Sequence, residues 1–135
     1  MSLTDRLRPH PEDRLGSPVQ SADLSAAAAR LRAEAHAPVA GHRQIALFRH
    51  GPVTLLLFIF EANGILKEHR TEGVVTIHVL SGNLVVTANE EARNLVAGQL
   101  VSLAPGIPHT VRSLVASEML LTIHQTTFES AGGTA

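Results

Sequence analysis

Eight histidines stand in a chain of 135 residues that contains no cysteine, and any chemistry it performs has to start from them. Imidazole titrates near neutral pH and is a common metal ligand, so clustered histidines can hold a divalent ion or move protons. The lack of cysteine excludes disulfides, thiolate metal sites and a cysteine nucleophile. His10, His36 and His42 fall in the N-terminal third, outside any core pattern, and read as solvated. There is no G-x-S-x-G, P-loop, G-x-G-x-x-G or H-E-x-x-H run. The serines have no recognisable base beside them in sequence, and Glu90 and Glu91 mark a solvated hairpin tip. The histidines that fall within patterned segments are His69, His78, His109 and His124.

Something must position those side chains. Residues 1–20 carry Pro9, Pro11 and Pro18 among mixed charges without apolar periodicity, as expected of a tail. Across residues 21–35, Leu24, Ala28, Leu31 and Ala35 share one face at helical spacing, with Asp23 near the start and His36 and Pro38 as the ending. From Gly41 onward the pattern becomes that of strands, near residues 43–49, 53–60, 74–80, 84–88, 93–96, 100–103, 110–114 and 118–126. Gly51-Pro52, Asn63-Gly64, Ser81-Gly82-Asn83, Asn89-Glu90 and Pro105-Gly106 punctuate them. Eight short strands at close spacing imply an antiparallel sandwich or barrel without βαβ units. The expected organisation is a tail over 1–20, a helix and connection over 21–40, a barrel over 41–127 and a second tail over 128–135.

The run Val53–Phe60 is apolar on both alternating faces: Leu56, Phe58 and Phe60 on one, Leu55, Leu57 and Ile59 on the other. A strand with one solvated face alternates with polar residues, so the second face needs cover. The short helix or a second copy of the chain has to provide it, and a homodimer is the expectation because an alanine-rich helix covers little area.

Two segments give the barrel a family. His69-Arg70-Thr71 leads into Val79-Leu80-Ser81-Gly82, and Gly98-Gln99-Leu100 leads into Pro105-Gly106-Ile107-Pro108-His109. Together they resemble the paired motifs of the cupin family over roughly residues 60–125. The resemblance implies an all-β fold: an antiparallel double-stranded β-helix, or jelly-roll barrel, here with a short N-terminal helix. It also implies that His69 and His109 stand at metal-ligand positions facing the barrel interior. Thr71 replaces a second histidine and Val75 a glutamate, while Ser113 stands where an asparagine often does. His69, Thr71, Val75, His109 and Ser113 are accordingly the expected pocket.

The cofactor implied is a divalent metal (Fe, Zn, Mn or Ni), yet two imidazoles with water make a weak site, since three or four protein ligands are usual. His124 is the candidate third ligand if Leu120, Thr122 and His124 line the interior, and Glu72 is a weaker one. His78 has the parity opposite to Val75, Ile77 and Val79 and is expected to face outward.

Formal net charge is −1 and basic residues are scattered from Arg6 to Arg112 without tyrosine or tryptophan, which argues against nucleic-acid binding. Residues 1–20 lack the apolar stretch of a signal peptide, and 53–60 is too short to span a bilayer as a helix. A cytoplasmic protein away from membranes is the expectation. Three functions compete. The favoured one is a non-catalytic binding or sensing cupin, which calls for an apolar cavity of about 300 Å³ or more around the two histidines. The alternative is a metal-dependent enzyme, a dioxygenase or isomerase with an incomplete ligand set. The third is an interaction role for the doubly apolar strand.

Overall fold

The computed structural model describes residues 17–125, so most of the expected N-terminal tail and the whole of the C-terminal one lie outside the described residues. Among the described residues one helix, α1 (Leu24–Arg32), precedes nine strands. These are β1 (His42–His50), β2 (Val53–Phe60), β3 (Ile65–His69), β4 (Val74–Ser81), β5 (Asn83–Ala88), β6 (Glu91–Val96), β7 (Leu100–Leu103), β8 (His109–Ser113) and β9 (Ser117–His124). They form two antiparallel sheets, a five-stranded one in the order β1-β2-β9-β4-β7 and a four-stranded one in the order β3-β8-β5-β6. The sequence pattern supplies all of these strands but β3. In Ile65-Leu66-Lys67-Glu68-His69 a register shift between Leu66 and His69 breaks the alternation that marks a strand.

Facing side chains of the two sheets make the interior. Phe58, Phe60, Val75, Ile77, Val79, Leu84, Val86, Leu95, Leu103, Val111, Met119 and Leu121 form one buried cluster. Inward parity on β9 therefore belongs to Met119, Leu121 and Ile123, and on β4 to Val75, Ile77 and Val79. Gly82 closes the β4–β5 hairpin at φ +92°, and a Cβ there would meet the Ser117 hydroxyl at 2.2 Å. Only glycine satisfies both the backbone angle and the space.

α1 starts at Asp23, whose carboxylate accepts from the Ala26 amide at 3.0 Å, and ends with Arg30 and Arg32 in its last turn. Its inner face, Ala28 and Leu31, packs on Leu57 and Ile59, with Ile45, Leu47, Leu80 and Leu120 around them. Burial stabilises by about 1.5–3 kcal/mol for each large aliphatic side chain. Leu57 and Ile59 are thus buried within the chain itself, so the helix covers that part of the second face, while Leu55 on the same face is half-buried. Among the described residues no helix is long and apolar enough to cross a membrane.

Candidate functional site

The barrel has two distinct ends. At one, β3 and β8 bring His69 and His109 directly opposite each other. On β8, His109, Val111 and Ser113 alternate inward and are buried. On β3, Leu66 packs on the core, and three residues later His69 faces the same way. Strict alternation would turn His69 outward; the extra residue of the bulge between them restores its inward aim. The two rings lie 4.2 Å apart between centroids at a 58° tilt. His109 is 2% exposed and His69 half-buried, so the pair opens to solvent through His69.

Both rings are tied in the same way. Nδ1 of His69 lies 3.0 Å from the Lys67 carbonyl, and Nδ1 of His109 lies 3.1 Å from the Ile107 carbonyl. A carbonyl only accepts, so each neutral ring donates from Nδ1 and keeps its lone pair on Nε2. Nε2 of His109 is buried and has no hydrogen-bond partner. Burial pushes the His109 pKa below its ordinary value; the Ile107 bond opposes this, and the neighbouring His69 adds to it. The site therefore presents a hydrogen-bond acceptor that resists protonation.

The other expected pocket residues are placed differently. The Thr71 hydroxyl donates to the Gly73 carbonyl and accepts from the Gly73 amide, closing a turn just past β3. Beside it the Gly106 amide donates to the Thr71 carbonyl at 2.8 Å, which joins the loop after β3 to the loop before β8. Val75 is inward and buried in the core, as expected. Ser113 is inward too, but four residues along β8 from His109, about 13 Å away. Its hydroxyl accepts from the Gly64 amide at 2.8 Å and donates to the Glu61 carbonyl at 2.5 Å. Ser113 thus fastens the β2–β3 turn and does not line the histidine site.

His124 does not join the pair. It shares parity with Leu120, which packs under α1, whereas Met119 and Leu121 take the interior. Its ring stands on the exposed outer side, as does that of His78, opposite Leu120 and Leu100. Glu72 is exposed, and among the described residues no three histidine, aspartate or glutamate side chains are grouped to hold a metal. The two Nε2 lone pairs suit a metal in tautomer but not in number. The donor set does not fit a tightly held resident ion.

His42 corrects another expectation, for it is buried rather than solvated. It sits at the opposite end of the barrel, its ring centroid 5.7 Å from that of Phe58 and 5.6 Å from that of Phe60. Nδ1 lies 3.0 Å from the Ile65 carbonyl. Burial lowers its pKa, while backbone hydrogen bonds with Ile65 and Ala40 oppose the shift. Val75, Ile77 and their neighbours pack the interior between the two sheets. Hollows of about 640, 270 and 210 Å³ lie along α1 and the loop after it, away from both histidines. Sequence reasoning missed the Lys67 and Ile107 carbonyls that fix the tautomers, since backbone partners leave no mark in residue type.

Comparison with known proteins agrees with this geometry. The structure is similar to a cupin superfamily protein from Desulfitobacterium hafniense (TM-score 0.62, 20% identity, covering 68% of this chain and 84% of that one). It is also similar to the cupin domain of an XRE family transcriptional regulator from Enterobacter cloacae (TM-score 0.58, 22% identity, 64% of this chain and 98% of that one). A salicylate 1,2-dioxygenase from Pseudoaminobacter salicylatoxidans, solved with gentisate, aligns at TM-score 0.62 and 16% identity over 71% of this chain and 29% of its own. At these identities the likeness shows the fold alone. No curated protein matches the sequence. The family description "Cupin domain" matches residues 56–123, just over half of the chain, and that stretch contains both histidines and the two loops that join beside them. The chain belongs to the cupin family.

Proposed function

We propose that this protein is a non-catalytic binding cupin whose His69–His109 pair takes a small uncharged or cationic molecule that donates a hydrogen bond from a hydroxyl or an ammonium group at the mouth of the barrel. The observation that carries this reading is the buried, unpartnered Nε2 of His109. Leaving a buried acceptor unsatisfied costs about 1–3 kcal/mol, which a ligand donor would recover. With both Nδ1 protons held by backbone carbonyls and His109 resisting protonation, the pair accepts hydrogen bonds and disfavours anions. The filled core restricts the ligand to the mouth, beside the loops joined by the Gly106–Thr71 bond.

The second reading, a metal-dependent dioxygenase or isomerase, draws on the same Nδ1-protonated tautomers, which leave both Nε2 atoms able to coordinate. Elemental analysis of the full chain, before and after incubation with excess iron, zinc, manganese or nickel, separates the two. Near-stoichiometric metal that disappears in His109→Ala would establish the enzyme reading and end this proposal. Without metal, imidazole nitrogen resonances of His69 and His109 are expected to shift on addition of short polyols or amines, and not with their methyl ethers or with simple anions. Unmoved resonances across that set would sink the binding reading as well.

A further inference from the structure

The end of the barrel opposite to the histidine pair holds a half-buried arginine, Arg43, that makes no ion pair among the described residues. Arg43, the second residue of β1, pairs with Ile59 in register and so shares the outer face that α1 partly covers. One terminal guanidinium nitrogen of Arg43 is buried and has no hydrogen-bond partner. Arginine does not shed its proton in a protein, so this group cannot escape burial by neutralising. A half-buried guanidinium with one nitrogen shut away from water and unpartnered is better satisfied by an anion than by the apolar groups around it.

Two hollows flank this side chain, of about 270 and 210 Å³, and they share Pro38, His42 and Arg43. The larger adds Ile59, Phe60 and Ala116 as an apolar floor, with Arg32 and Glu61 at its rim. The carboxylates nearby do not settle Arg43. Glu118 is taken by Arg32 of the helix, and Glu61 is exposed and makes no ion pair with Arg43. Those same two carboxylates limit the ligand, because a doubly charged anion would be repelled by Glu61 at close range. A single carboxylate matches the guanidinium fork, and the apolar floor suits a short hydrocarbon tail.

We propose that Arg43 anchors a second ligand site, for a small monocarboxylate with a short apolar tail, in the hollows between the loop after α1 and the outer face of the barrel. This site is independent of the histidine pair. Butyrate is the probe. Added to the isotopically labelled full chain, it is expected to give saturable amide shifts around residues 38–44, 59–61 and 116, with Kd on the order of 1–10 mM for so small a ligand. Acetate binds more weakly for want of a tail, and n-butanol at least tenfold more weakly for want of charge.

Arg43→Met keeps the aliphatic stem and is expected to weaken butyrate about tenfold or more, whereas Arg43→Lys loses less. Glu61→Gln, which removes a like charge, tightens it. His109→Ala leaves it unchanged, so failure here and failure of the histidine reading are told apart. Equal binding of butanol, absence of saturation, or undiminished butyrate affinity in a folded Arg43→Met would overturn the proposal. So would binding that appears only in Glu61→Gln, which would mean that Glu61 itself occupies Arg43.

Discussion

His42 and His109 are both buried, both shifted by burial toward the neutral form, and both lodged among apolar side chains, yet they stand at opposite ends of the barrel in opposite situations. His42 lies against Phe58 and Phe60 and is held by backbone hydrogen bonds with Ile65 and Ala40. Around it Ser113 and Ser117 use their hydroxyls to fasten turns: Ser117 donates to the Val115 carbonyl at 2.7 Å and accepts from the Asn83 amide at 3.0 Å. His109 has one nitrogen held and one left with nothing. Burial and a shifted pKa are therefore common to a packing residue and a binding residue. Hydrogen-bond satisfaction is what separates them.

The largest expected effect lies at the His42 end. His42→Ala removes a ring packed on two phenylalanines and leaves a cavity, for a loss of about 3 kcal/mol. In a domain of this size that lowers Tm by roughly 10 °C. Ligand shifts at His69 and His109 should survive in the folded fraction. A stable His42→Ala that loses those shifts would mean that the two ends are coupled and that His42 belongs to the site.

Ser113→Ala comes next, at about 1.5 kcal/mol, because it removes the hydroxyl that bridges the Gly64 amide and the Glu61 carbonyl, while the amide keeps its 3.1 Å bond to that carbonyl. Urea unfolding reads the loss directly. If Ser113 instead lined the histidine site, the substitution would leave stability alone and change ligand binding.

How these ends differ was only partly written in the sequence. Strand parity and turn residues are enough to locate an antiparallel barrel and the helix, because a packed two-sheet interior leaves a period of two in the residue types. The meeting of His69 with His109 is legible only through the resemblance to the paired cupin motifs. The same parity left His124 open, since Leu120 and Leu121 are both apolar and only the packing under α1 decides which one faces out. β3 was invisible for the reason that makes it useful: the bulge that turns His69 inward destroys its alternation. His42 looked solvated because its partners, Phe58 and Phe60, are distant in sequence and meet it only through the β1–β2 register. Ser113 matched a motif position, but its role depends on where Gly64 and Glu61 come to rest.

A smaller effect, and one of different sign, is expected at the other end. His109→Leu fills much of the same volume with apolar atoms and removes the unpartnered nitrogen. Its stability should stay within about 1 kcal/mol of the parent, with an increase more in keeping than a loss. Binding at the pair should disappear. Each substitution discards one Nδ1 hydrogen bond, to Ile107 or to Ile65, but His42→Leu also disturbs a ring packed on Phe58 and Phe60 and relieves no unpartnered nitrogen, so it should cost clearly more. Equal losses at the two positions would break the contrast between them and would place His109 among the structural histidines.

The smallest effect is a slope. Both histidines have folded pKa values below the unfolded reference of 6.5, each chiefly through burial. A lowered histidine binds fewer protons folded than unfolded, so stability rises with pH across the window between the two values. It is fully present above about 6.5 and is lost as pH falls toward and through the folded values, by at most about 1.4 kcal/mol per pH unit for each histidine. Urea unfolding from about pH 8 down to pH 5 should show this fall in the parent, and His109→Leu should remove its share without lowering the plateau at pH 8. A hydroxyl-bearing ligand at the pair donates to the neutral ring and holds the proton off Nε2, so it should raise the plateau and extend the fall through His109 to lower pH. Both effects should be absent in His109→Leu and intact in His42→Leu. A pH profile identical in parent and His109→Leu would show that His109 takes up its proton freely in the folded state. The acceptor at the mouth of the barrel would then be no better protected from protonation than a solvated imidazole, against what the binding reading requires.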